Sequence, residues 1–295
     1  MPDVRITAVA ALGAIVATLA TFTDPIVTRA VQPPASVRLY VFDCGTLEGD
    51  PVRFNLKREE MATTDMSVAC YLVVHPRGTL MWDTGAVPDR DVKSGSERAR
   101  YHIVLPNTER FVTLAKSLKT QLGEAGHAAG DVTYLALSHY HWDHTANANA
   151  FTGATWLVRQ VEKDAMFAAK PPDLVQRSTF DALAKSKTVI IKTDDYDVFR
   201  DGSVVIKWAP GHTPGHQLLF VTLAKTGAVL LSGDLYHYPE ERTLDRVPTF
   251  EFNADQTRRT RTAIDAFLKQ SRAQLWIQHD FTANARLKKS PAFYE

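Results

Sequence analysis

From residue 36 onward, short runs rich in β-branched and aromatic residues alternate with stretches whose polar and apolar positions follow helical spacing. Strands are predicted at 37–42, 70–74, 79–82, 134–138, 155–158 and 189–192, then at 204–208, 217–222, 228–232 and 275–278. Helices are predicted at 107–126, where Glu109 falls in the first turn and Gly126 supplies a stop, and at 255–270. No low-complexity linker interrupts this alternation, so it predicts one α/β domain over 36–295. Pro210, Gly211, Pro214 and Gly215 punctuate a loop just after a strand, where a sheet presents functional groups.

Residues 1–30 follow a different pattern. Beyond Arg5, the stretch from Ile6 to Phe22 carries no charge and is rich in Ala, Val and Leu, a pattern resembling a secretory leader, with Ala20 or Ala30 placed before candidate cleavage points. It predicts a periplasmic or secreted protein with no stable membrane contact once the leader is cleaved. The stretch falls slightly short of the roughly 20 residues a membrane span needs. An uncleaved anchor is the alternative, since Arg5 is the only basic residue ahead of it.

Composition narrows the class. Hydrophobic residues make up 45% of the 295, enough to bury a sizeable core. The 34 Lys and Arg balance 33 Asp and Glu without a long run of either sign, which argues against a nucleic-acid partner and for a small molecule. Cys44 and Cys70 each adjoin an apolar run, so buried free thiols and a disulfide formed in an oxidising compartment both stand as readings.

The chemistry concentrates at His139-Tyr140-His141-Trp142-Asp143-His144, just after a predicted strand. A single histidine has many ordinary roles. Four metal-capable side chains within six positions are hard to explain except as ligands.

This His-x-His-x-Asp-His run resembles the metallo-β-lactamase superfamily. The family's other elements follow in order: Asp83-Thr84-Gly85, the Gly-His-Thr-Pro-Gly-His loop at 211–216, Ser-Gly-Asp at 232–234, and a late strand ending at His279. The resemblance covers residues 37–282 and implies an αβ/βα four-layer sandwich, with two mixed β-sheets face to face and helices outside. It further implies that His139, His141 and His216 hold one metal, that Asp143, His144 and His279 hold a second, and that Asp234 bridges both. His212 is left beside the site, and Asp83 orients the cluster. Such nitrogen and carboxylate donors suit two zinc ions, with cobalt, manganese or iron as alternatives. Redox relatives usually carry Glu where His141 stands, so the resemblance implies hydrolysis.

Within the superfamily, the quorum-quenching N-acyl-homoserine lactonases are the subgroup most similar in Leu39-Tyr40-Val41-Phe42-Asp43-Cys44-Gly45, Met81-Trp82-Asp83-Thr84-Gly85, the segment 233–242 and Val247-Pro248-Thr249-Phe250-Glu251-Phe252. That likeness implies opening of an acyl lactone by hydroxide formed from water shared between two metals, with Asp143 passing a proton to the leaving oxygen. A tyrosine is usual three residues after the bridging Asp. Here that place is His237, flanked by Tyr236 and Tyr238, and any of the three is a candidate donor to the substrate. Phe54, Met61 and Met66 are candidates for an acyl groove or for ordinary core. A thioesterase of glyoxalase II type, or another ester hydrolase, would keep the same ligands, and a non-catalytic metal protein is a third reading. The family also implies a homodimer.

Overall fold

The computed structural model describes residues 34–295 apart from 94, 96, 106 and 107, so the expected leader lies outside the described residues. The first half of the chain builds one mixed sheet from β1 (Arg38–Glu48), β2 (Asp65–His75), β3 (Gly78–Trp82), β4 (Ala99–Leu105), β5 (Thr108–Leu114), β6 (Tyr134–Ala136), β7 (Thr155–Val158) and β8 (Thr188–Ile190). Its order is β4-β5-β1-β2-β3-β6-β7-β8. The second sheet, from β9 (Asp195–Asp197), β10 (Val204–Trp208), β11 (Gln217–Leu223), β12 (Gly227–Leu231) and β13 (Gln274–Trp276), has the order β13-β12-β11-β10-β9. A final strand, β14 (Phe293–Tyr294), returns to pair with β1. The helices are α1 (Leu118–Glu124), α2 (Trp142–Thr145), α3 (Gln160–Met166), α4 (Pro239–Thr243), α5 (Ala254–Ser271) and α6 (Phe281–Arg286).

Strand alternation sorts the apolar residues into layers. Leu39, Val41, Tyr71, Val73, Leu80 and Trp82 of the first sheet meet Ile206, Leu219, Val221, Val229 and Leu231 of the second. Their neighbours Tyr40, Phe42, Leu72 and Met81 point the other way, onto Leu118 and Leu122 of α1 and Met166 of α3. On the far side, Leu218 and Leu230 of the second sheet receive Ile264 and Leu268 of α5. Three apolar seams therefore separate four layers, helix, sheet, sheet and helix. Each fully buried large side chain contributes about 1.5–3 kcal/mol.

The helix predicted at 107–126 is corrected. Its first part is strand β5, paired antiparallel with β4 through Tyr101↔Val112 and His102↔Phe111, and only Leu118–Glu124 is helical. Thr108, Val112 and Thr113 favour a pleated surface, and alternation puts Val112 and Leu114 into the core. The true N-cap is Ser117, whose hydroxyl accepts from the Thr120 amide. Cys44 and Cys70 form a disulfide joining β1 to β2.

Candidate metal centre

Four loops leave the C-terminal ends of β6, β10, β12 and β13 and carry the ligand candidates to a common point. The first contributes His139 to His144, the second His212, the third Asp234 and the fourth His279. Backbone bonds hold the loops in register: the Gln217 amide donates to the Ser138 carbonyl at 2.9 Å and the Ser232 amide to the Trp276 carbonyl at 3.0 Å. Glu162 of α3 joins the first two loops, accepting from the Tyr140 amide, the Thr213 hydroxyl and the Gly215 amide at 2.8–2.9 Å. Gly215 permits that approach, because a Cβ there would lie 2.5 Å from the Cβ of Glu162.

Three of the imidazoles, those of His144, His279 and His212, are aimed by a partner on the outer nitrogen. Asp83, in the left-handed region at φ 57°, accepts from the Ser138 amide at 2.6 Å and faces His144 Nδ1 at 2.9 Å, while Gln278 donates to its second oxygen at 2.9 Å. His279 Nδ1 donates to the Ser67 carbonyl at 2.7 Å, and His212 Nδ1 faces Glu251 at 2.7 Å. These contacts fix tautomers and leave the Nε2 atoms pointing inward.

Asp234 receives them from two sides. Its Oδ1 lies 3.1 Å from Nε2 of both His144 and His279. Its Oδ2 lies 3.3 Å from His212 Nε2 and 3.4 Å from His139 Nε2. His141 Nδ1 sits 3.0 Å from His212 Nε2, and Asp143 stands 3.7–3.8 Å from His279 and His144. Two donor groups result, His139, His141, His212 and Asp234 on one side and Asp143, His144 and His279 on the other. The Nε2 atoms of His139, His144 and His279 and Oδ1 of Asp234 are buried without a hydrogen-bond partner. Buried polar atoms are rarely left so, and four of them converging among carboxylates fit a pair of divalent cations.

In the bare protein the ligand histidines divide: burial opposes charge on His144 and His212, but nearby carboxylates outweigh it and hold both above the usual histidine range. Burial, reinforced by neighbouring imidazoles, holds His139 and His141 well below the usual histidine range, so both are neutral with free lone pairs. Burial alone would raise Asp234, but His144, His279, His139 and His237 reverse this and keep it ionised. Burial likewise opposes charge on His237, yet Glu241 and Asp234 outweigh it and push its pKa up to about 10.

Six of the seven predicted ligands meet in these groups, and His216 does not. Its Nδ1 donates to the Ala209 carbonyl at 2.9 Å and its Nε2 accepts from the Asp234 amide at 2.9 Å, so neither nitrogen is free. His212 stands where His216 was expected. Tyr236 and Tyr238 are also corrected as substrate donors. Tyr236 packs in the outer seam with Arg261 above its ring, and the Tyr238 hydroxyl donates to the Thr64 carbonyl at 2.7 Å. His237 alone of the three lines the cavity over the metal groups. Its backbone and ring nitrogens meet Glu241 at 3.1 Å, Glu241 takes a 2.6 Å bond from Arg261, and Nε2 faces inward.

That cavity, of about 200 Å³, has His141, Asp143 and Asp234 at its floor and Phe54, Met66, Phe111 and Phe250 in its walls. It shares Arg53, Leu174 and Phe250 with a wider groove of about 880 Å³. Met61 belongs to the core and not to this lining. Sequence reasoning missed Glu162, Glu241, Glu251 as the partner of His212, and Gln278. Glu241 and Glu251 sat in segments already singled out, whereas Glu162 and Gln278 act across the fold.

Comparisons with known proteins agree with this geometry. The family model described as Metallo-beta-lactamase superfamily matches residues 63–274. The N-acyl homoserine lactonase AttM of Azorhizobium caulinodans is 28% identical over 270 residues, covering 88% of this chain and 99% of the relative. Among solved structures, a B. thuringiensis AiiA variant with N-decanoyl-L-homoserine bound at its active site superposes with a TM-score of 0.71 at 24% identity, covering 88% of this chain and 99% of that one. The dizinc quorum-quenching lactonase AidC, in complex with a product, superposes at 0.60 and 19% identity, covering 88% and 94%. With well over half its length matched, its two mixed sheets stacked as in those structures and a dinuclear-type His/Asp centre between loop ends, the chain belongs to the metallo-β-lactamase superfamily.

Proposed function

We propose that the protein opens the lactone ring of N-acyl homoserine lactones, using two zinc ions held by His139, His141, His212, Asp143, His144 and His279 with Asp234 between them. The observation that carries this reading is the convergence of unpartnered ring nitrogens, of His144 and His279 on one oxygen and of His139 on the other, on one buried aspartate at the floor of a cavity with apolar walls. The lactonase relatives, matched over nearly their whole length, support the choice of substrate. Bound there, the metals would lower the pKa of a shared water towards neutrality and polarise the ester carbonyl.

The chain's own groups do the rest. Phe54, Met66 and Phe111 seat an aliphatic tail and keep water from it. Asp143, at the cavity floor, is placed to pass a proton to the alkoxide that leaves as the ring opens. His237, held by Glu241 so that Nε2 faces the cavity, meets the charge developing on the substrate, and such preorganised groups contribute roughly 3 kcal/mol.

The test is turnover of N-acyl homoserine lactones, simple γ-lactones and a glutathione thioester by the zinc-loaded protein. Lactone opening is expected. Thioester hydrolysis without lactone opening would replace this reading by a thioesterase of the same fold. The Cys44–Cys70 disulfide supports an oxidising compartment, hence export. Cell fractionation checks it, and a purely cytoplasmic protein would refute it.

A further inference from the structure

Arg53 lies in a short 3-10 turn, Pro51–Phe54, whose Val52 amide is capped by the Asp50 side chain, and its carbonyl accepts from the Thr249 amide at 2.8 Å and from the Thr249 hydroxyl at 3.1 Å. The backbone is thus tied to the segment that carries Phe250 and Glu251. Its guanidinium carbon lies 4.6 Å from the centroid of the Phe250 ring, a cation–π contact that holds the group against the ring. Arg53 lines both the cavity over the metal groups and the groove leading out of it.

Other arginines nearby are engaged. Arg100 is paired with Glu48 at 2.7 Å, and Arg110 bonds the Thr108 hydroxyl and the Glu109 carbonyl. Among the described residues, no hydrogen bond or ion pair is made by the Arg53 guanidinium. The group is half-buried, rests over the Phe250 ring, and its N–H donors are left to whatever fills the cavity. Burial pushes its pKa down, while Asp50 and Asp143 act through space in the opposite sense. Its charge is thereby partly compensated. Glu48 and Asp50 share this cavity with the guanidinium, and a neutral oxygen placed there gains a charge-assisted bond from its free N–H groups.

We infer that Arg53 is a specificity-determining residue that donates to a neutral carbonyl oxygen on the acyl side of the substrate, and this rests on the lactonase reading above. Two oxygens share that chemistry, the amide carbonyl and a keto group farther along the chain.

The experiment compares kcat/KM for N-hexanoyl homoserine lactone, its 3-oxo counterpart and γ-hexalactone, which lacks both oxygens, in the wild type, Arg53→Met and Arg53→Lys, each with two zinc ions bound. Met keeps the apolar stem on Phe250, and Lys keeps the charge without the planar fork. The preference for acyl-amide lactones over γ-hexalactone should fall about tenfold or more in Arg53→Met and less in Arg53→Lys. An equal fall for both amides identifies the amide carbonyl, and a fall confined to the 3-oxo compound identifies the keto oxygen. Ratios in both variants matching the wild type overturn the assignment, as does an equal loss on all three substrates. Failure of the wild type to open any of the lactones removes the lactonase reading and this assignment together, and is seen before any variant is made.

Discussion

An imidazole nitrogen spent on a backbone carbonyl or amide has no lone pair left for a cation. That rule separates two histidines only four positions apart. His216 spends both nitrogens on backbone groups, the Ala209 carbonyl and the Asp234 amide, whereas His212 spends one on Glu251 and meets only other ligand candidates, His141 and Asp234, with the other. Replacing His212 by Ala should therefore remove one bound metal and more than about 100-fold of activity, beyond what partners outside the ligand set contribute. Replacing His216 by Ala should leave both metals bound and lower stability by about 2–4 kcal/mol, through a cavity and two lost hydrogen bonds. Metal analysis and urea unfolding of the two proteins check this, and the reverse pattern would restore His216 as the ligand. Asp83 makes a similar case. Asn tolerates its left-handed backbone but cannot accept from three donors, so Asp83→Asn should weaken zinc binding about 10–100-fold in a chelator competition. The run from His139 to His144 was legible because its ligands are neighbours in sequence. The choice between His212 and His216 was not, since it depends on which carbonyl and carboxylate the folded loop meets.

At the level of elements, the loop from Pro210 to Gln217 keeps its shape through a side chain from α3. Burial pushes Glu162 up from its ordinary 4.5 to about 7, despite the Thr213, Gly215 and Tyr140 donors and the nearby His212 that favour its charge. A carboxyl whose pKa is higher folded than unfolded supplies stability that is complete below the unfolded pKa and is lost as pH rises through the folded one. This share should thus disappear between about pH 4.5 and pH 7. Glu162→Gln should be less stable overall, because its amide N–H groups confront other donors, and should lose that pH dependence. Urea midpoints across the window measure it, and an unchanged slope would show that Glu162 does not titrate there. Strand patterning was legible for most of both sheets because alternate burial leaves a period of two. The β4–β5 hairpin was misread because Glu109 mimics a helix start, and what settles it is pairing with His102 and Tyr101 upstream.

For the whole molecule, the four layers follow from three apolar seams and were legible through family likeness, whereas the Cys44–Cys70 pairing required knowing that β1 and β2 are neighbours. Removing zinc should destabilise the fold as a unit, since a ligand bound only by the native state adds about 4 kcal/mol when present at roughly a thousandfold its Kd. Calorimetry should show the midpoint falling by roughly 10 °C with chelator and recovering with zinc. No change on chelation would mean that the donors do not hold metal in the native state.

The loop after β6 springs from one sheet, and those after β10, β12 and β13 from the other, so neither sheet alone owns a complete set of donors. A cation there acts as a rivet driven through the seam between the halves. A nascent chain would hold only part of its grip until the segment around His279 had been made and docked. Metal capture would then come late and serve as a built-in inspection of assembly, since only a molecule whose two sheets have met in register brings both donor groups together.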